Sequence, residues 1–145
     1  MKTPVKMVRV AAPDLCRLAT ELMTAAGADQ DHARITADLL VEADLKGVGV
    51  QGVDYLYYIL DCLGRGIIDG RAKPTVERET PATAFIDGHR GMGQPAAVLA
   101  VEIARRKAAE TGTASVAVGN STDIFMIGAY SERLARSGLI AMVMT

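Results

Sequence analysis

The hydrophobic period changes near residue 73, and that change constrains the fold more than any other feature of the chain. Up to residue 72 apolar residues recur at helical spacing, whereas from 73 to 145 short strand-like runs alternate with helical ones. Leu15, Leu18, Leu22, Met23 and Ala26 form one apolar stripe, opened by Pro13 and closed by Gly27, which predicts a first amphipathic helix. A second starts near Asp29, whose carboxylate can accept from the free N–H groups of the first turn, and carries Ile35, Leu39, Leu40 and Ala43. A third begins near Gly52, places Val53, Leu56, Tyr57, Leu60 and Leu63 at helical spacing, and stops at Gly64 and Gly66.

Beyond this helical layer, Pro74 to Glu79 and Ala82 to Asp87 read as two strands separated by Pro81, which lacks a ladder donor. Gly93 to Thr111 reads as a helix ended by Gly112, followed by a buried-strand run at Ser115 to Val118. Gly128 to Ser137 reads as a final helix, and Leu139 to Met144 as a final strand. Val8 to Val10 forms a short extended start. The fold class expected is α/β, a helical N-terminal layer followed by strands and helices in a mixed sheet. An apolar strand at the very end would lack a covering layer, so the sequence is expected to be part of a longer protein.

Composition narrows the function. Half of the 145 residues are hydrophobic, which excludes an intrinsically disordered chain. Sixteen basic against seventeen acidic residues leave a net charge of −1, without the basic surface that nucleic acid or an anionic membrane demands. No apolar run approaches the roughly 20 residues of a membrane helix, and Met1 to Val10 shows no export signal. Cys16 and Cys62 lack C-x-x-C spacing, so the reading is a cytoplasmic protein with free thiols. His32 and His89 are the only histidines and form no H-x-x-x-H or H-x-x-E pair, so no metal site is expected, and a G-x-S-x-G elbow is lacking. His89 reads as a surface residue.

Gly91-Met92-Gly93-Gln94-Pro95-Ala96 has the G-x-G-x-x-A form of a dinucleotide loop, between a strand and a helix. A Rossmann unit also needs a carboxylate at the end of the next strand to bind the ribose hydroxyls, and Ser115 to Val118 is followed by Gly119 and Asn120. The glycines therefore read as a structural turn.

Several segments together resemble the type 2 malate/L-lactate dehydrogenase family, which includes ureidoglycolate, sulfolactate and diketogulonate oxidoreductases. They are Ala43-Asp44-Leu45-Lys46-Gly47-Val48 before Gly52-Val53, Gly66-Ile67-Ile68, Phe85-Ile86-Asp87-Gly88 with Gly91-Met92-Gly93-Gln94, and Asn120-Ser121 leading to Gly128-Ala129-Tyr130. The resemblance implies a homodimer that uses NAD or NADP, bound by a domain that is not a Rossmann fold, to interconvert a small 2-hydroxy acid and a 2-oxo acid. It further implies that residues 1–145 form the N-terminal part of a longer chain whose cofactor domain is missing here.

The family's reaction positions carry other residues here. Hydride reduction of a ketone leaves negative charge on oxygen, which calls for a general acid within hydrogen-bond reach and a cation to anchor the substrate carboxylate. The family's Ser-His-Gly segment falls on Val50-Gln51-Gly52, and its second histidine falls on Asp123; an arginine often found after the first falls on Tyr55. The resemblance thus assigns Asp123 as proton carrier and Gln51 as hydrogen-bond donor to the substrate oxygen. Asn120, Ser121 and the helix start at Gly128 are the expected neighbours of the cofactor. An imino-acid substrate, or a scaffold that has lost catalysis and only dimerises or binds, are the alternatives these departures leave open.

Overall fold

A computed structural model describes residues 8–145; the reading of the first seven residues as free of an export signal lies outside them. The elements run α1 (Ala12–Ala25), α2 (Gln30–Leu45), 3-10 turns at Gly49–Gln51 and Val53–Tyr55, α3 (Leu56–Gly64), β1 (Thr75–Glu79), β2 (Thr83–Gly91), α4 (Gly93–Thr111), β3 (Ser115–Ser121) and α5 (Gly128–Arg136). The expected order of a helical layer followed by a mixed sheet is the observed one.

Local chemistry sets most of the boundaries. Asp29 caps α2, its Oδ1 accepting from the N–H groups of Asp31 at 3.0 Å and His32 at 3.2 Å, and the His32 bond in particular holds its carboxyl below the usual range. Gly112 ends α4 at φ +79°, a left-handed conformation that costs glycine nothing. The third helix starts later than its period suggests, because Gly52 to Tyr55 forms a 3-10 turn before Leu56. There Asp44 reaches across from α2 and accepts the Val53 N–H at 3.1 Å.

The sheet has order β1-β2-β3, with β1 antiparallel and β3 parallel to β2. Helix α4 is the crossover and covers one face, packing Ile103 and Leu99 onto Ala84, Ile86 and Val116. β1 is exposed along its whole length. A second cluster joins Met23, Ala33, Leu40, Ile59 and Met92 across the helical layer, and a third gathers Val101, Tyr130 and Leu134 where α4 meets α5. Ion pairs fasten α5 to α2. Arg133 bonds Glu42 at 2.8 Å, and Lys46 bridges Glu42 and Glu132.

Three expectations need correction. Leu139 to Met144 is not a strand. It runs on extended, with Leu139, Ala141 and Val143 against the α4/α5 cluster and Ile140, Met142 and Met144 facing outward, but it pairs with no strand among the described residues. A two-residue period describes which face a segment buries, whereas a strand also needs a ladder partner. On α1, Leu18 and Leu22 lie 48% and 40% exposed; Met23 is buried as its place in the stripe predicts, and Ala19 joins it. Val8 to Val10 has no regular structure and is exposed.

Candidate active site

The glycine-rich turn between β2 and α4 is a packing device, because the loop after β3 lies directly on it. A Cβ at Gly93 would stand 2.3 Å from the Thr122 carbonyl oxygen and 2.4 Å from that of Asp123, and one at Gly88 would stand 2.6 Å from the Ser121 Cβ. Absence of a side chain lets backbone meet backbone. Hydrogen bonds fix the contact: the Gly93 N–H donates to Thr122 Oγ1 at 2.9 Å, and that hydroxyl donates to the Gly91 carbonyl at 3.2 Å.

Gln94 completes the junction. It is 2% exposed, donates its amide to the Asp123 carbonyl at 3.0 Å, and accepts from the fully buried Thr36 hydroxyl at 3.3 Å. A buried amide satisfied from two elements holds both in register, so Gln94 ties α2 and α4 to the loop that carries Asp123.

That loop forms one wall of a cleft of about 570 Å³. Asp123 Oδ1 accepts the Phe125 N–H at 2.9 Å, a local turn that holds Phe125 at φ +58° and swings its ring inward. The Phe125 ring lies 4.8 Å from that of Tyr55, which meets Tyr58 edge-on at 6.2 Å. Ile59, Ile68 and Met92 form the apolar floor, and Gln94 and Thr122 also reach it. Among the described residues, the charged groups lining the cleft are Asp54 and Asp123.

Of the residues singled out in the sequence, Asp123 is exposed and lines the cleft. Gln51 sits half-buried on a 3-10 turn; its neighbour Val50 lines the cleft and Gln51 itself does not. Asn120, at φ +50° on the end of β3, donates its amide to Asp87 at 2.8 Å, away from the cleft. Ser121 Oγ is buried and finds no partner among the described residues. Gly128 opens α5 with clear space above its Cα. The structure thus does not bring these five into one cluster. It adds Gln94, Thr122 and Tyr58, and it places Tyr55, the position of the family's arginine, in the cleft. Gln94 stood in the glycine motif, whose spacing signalled a close approach without naming what approaches.

A three-stranded mixed sheet with one crossover helix, laid against helices, is an architecture this chain shares with solved dehydrogenases. The malate dehydrogenase structure from Pyrococcus horikoshii matches 94% of this chain and 40% of its own with a TM-score of 0.86 at 34% identity. The sulfolactate dehydrogenase structure from Methanocaldococcus jannaschii matches 84% of this chain and 36% of its own, with a TM-score of 0.81 at 34% identity. In sequence, malate dehydrogenase of Pyrococcus abyssi is 34% identical over 138 residues, covering 95% of this chain and 38% of the relative. The (2R)-3-sulfolactate dehydrogenase (NADP(+)) of Chromohalobacter salexigens is 34% identical over 125 residues, 86% of this chain and 37% of the relative.

The malate/L-lactate dehydrogenase family model matches residues 10–145, and the chain belongs to that family. It spans about 38% of the length of the curated relatives it matches.

Proposed function

We propose that the chain is the N-terminal part of a cytoplasmic, homodimeric NAD(P)-dependent oxidoreductase that interconverts a small 2-hydroxy acid and its 2-oxo acid. The observation that carries the reading is the Asp123 carboxyl in the wall of an aromatic cleft, at the place where the family resemblance puts a proton donor. Malate and sulfolactate, named in the relatives, are small 2-hydroxy acids of the size such a cleft admits.

Asp123 gives a proton to the substrate oxygen in the reducing direction and takes it back in the oxidising one. The Gln94 amide and the Phe125 N–H hold the segment that carries it, so the donor stands still while substrates exchange. Tyr55 offers a hydroxyl to the substrate, and Gln51 an amide from the turn that brings Val50 to the cleft. Asp54 and Asp123 are the charged groups lining the cleft among the described residues, so a cation that anchors a substrate carboxylate is not part of that lining.

A nicotinamide cofactor supplies the hydride when bound. The orphaned, buried Ser121 hydroxyl is a polar group suited to hold one, and the start of α5 leaves open space above Gly128. Asn120 keeps its amide oxygen for the same role while its nitrogen bonds Asp87.

The test is a panel of 2-oxo acids assayed with NADH and NADPH on the full-length protein and on Asp123→Asn. Turnover by the wild type that Asp123→Asn loses supports the reading, and turnover unchanged in Asp123→Asn removes Asp123 from the chemistry. A second reading, a binding or dimerising scaffold without catalysis, is favoured by the residues at Gln51, Tyr55 and Asp123. It predicts no turnover and no saturable heat when either reduced cofactor is titrated into the full-length protein.

A further inference from the structure

The hairpin of β1 and β2 brings together three side chains outside the cleft. Thr75 pairs with Asp87 across the hairpin, and Glu77 falls in the bulge between Val76 and Arg78, where the register slips and a residue is left without a ladder partner. One ligand atom each from Glu77, Asp87 and His89 lies within 4.8 Å of the others. None of the three lines the cleft.

The Thr75 hydroxyl decides the state of the histidine. It donates to Glu77 Oε1 at 2.9 Å, and its oxygen lies 2.7 Å from His89 Nε2. A hydroxyl has one proton and a carboxylate can only accept, so toward the imidazole the hydroxyl accepts and Nε2 carries the hydrogen. In the neutral ring Nδ1 then holds a free lone pair. That atom lies 3.6 Å from Asp87 Oδ1, too far for a hydrogen bond, so the Nδ1 lone pair is left without a donor there.

Two ligands each about 2.1 Å from one ion, at about 110–120° to each other, stand about 3.4–3.6 Å apart, and the His89 Nδ1–Asp87 Oδ1 pair stands at 3.6 Å. Asp87 Oδ1 accepts the His89 N–H at 2.7 Å and the Asn120 amide at 2.8 Å, which fixes the carboxylate and leaves Oδ2 without either donor.

We propose that Glu77, Asp87 and His89 form a binding site for a divalent metal ion, with Thr75 fixing the imidazole tautomer. One nitrogen and two carboxylate oxygens make a borderline set, which suits zinc, cobalt or manganese better than magnesium or calcium. The ion would clamp β1 to β2 and, through Asn120, to β3. Sequence spacing does not disclose such a site, because Glu77 arrives from the neighbouring strand.

Titration calorimetry of the full-length protein with ZnCl₂ tests it, with cobalt absorption as a second reading of nitrogen ligation. The expected result is one saturable ion per chain, bound at least tenfold more tightly than magnesium. His89→Ala and Glu77→Gln should each weaken it at least tenfold. Thr75→Val should weaken it by about tenfold or more, since a ligand's hydrogen-bond partner is worth that much. All three positions are exposed, so unchanged circular dichroism should accompany the loss. Absence of saturable heat, magnesium binding as tight as zinc, or wild-type affinity in His89→Ala would each overturn the site.

Discussion

Replacing Gly93 by alanine tests whether the glycine turn exists for close packing. The new methyl would stand 2.3 Å and 2.4 Å from the carbonyl oxygens of Thr122 and Asp123. Comfortable carbon–oxygen contacts lie at about 3.3–3.6 Å, so the loop must retreat by about 1 Å. Both contacting atoms are backbone, and the segment is held by Gln94 and Thr122, so no flexible side chain absorbs the change.

Overpacking of this kind costs about 1–3 kcal/mol, and alanine's better helix propensity returns at most about 1 kcal/mol. The net expectation is a loss of about 1–2 kcal/mol, which for a chain of this length lowers Tm by about 3–6 °C. Gly64→Ala is the matched control: the residue ends α3, nothing lies within 4 Å of its added Cβ, and its φ is not left-handed. It should be neutral or stabilising by up to about 1 kcal/mol. The assay is urea and thermal unfolding of both variants by circular dichroism. A Gly93→Ala protein as stable as wild type would refute the close approach. Under the proposed function the same displacement moves Asp123 by about 1 Å and should cost about 100-fold in turnover.

Other outcomes follow from single contacts. Tyr130 is 1% exposed and donates its hydroxyl to the Ile124 carbonyl at 2.8 Å, so Tyr130→Phe should cost about 1 kcal/mol in urea unfolding. Burial also pushes that phenol far above the ordinary tyrosine range, so alkaline absorbance titration should find one phenol that ionises only well above that range. Gly52→Ala would drive a methyl to within 1.9 Å of Asp44 Oδ1, and displacing that side chain forfeits its cap on Val53. Gly52→Ala and Asp44→Ala should each cost about 0.5–2 kcal/mol, and the double variant should be much less destabilised than their sum.

For Glu42, burial raises the carboxyl but hydrogen bonds from Lys46 and Arg133 overcome it, leaving it below the usual range. A depressed carboxyl stabilises fully above its unfolded value, near 4.3, and that contribution vanishes as pH falls through the folded value. Tm measured downward from about pH 5 should therefore fall less steeply in Glu42→Gln than in wild type. Equal slopes would show that the α2–α5 ion pairs carry no stability.

Much of the fold was legible because its signals are local. The caps at Asp29 and Gly112 and the period of Gly93 to Thr111 act through neighbours in the chain, and the helices they announce are there. Leu139 to Met144 failed for the opposite reason: its alternation correctly separates inward Leu139, Ala141 and Val143 from outward Ile140 and Met142, yet pairing depends on a partner that no local pattern encodes. The site divides in the same way. Asp123 could be marked by its place in a motif, whereas Gln94 could not, since its role arises from Thr36 on another helix and from a carbonyl 29 positions along the chain.

The sequence by itself determined the helical front, the change of period and the family, because those rest on side-chain order and short-range backbone chemistry. Tertiary structure alone decided that the glycines seat a loop against a helix start, that Tyr55 and Phe125 pack ring against ring in the lining of a cleft, and that a bulge carries Glu77 to Asp87 and His89. Each of these is a distance between residues far apart in the chain. Such distances are set by how layers pack, and a one-dimensional pattern holds them only implicitly.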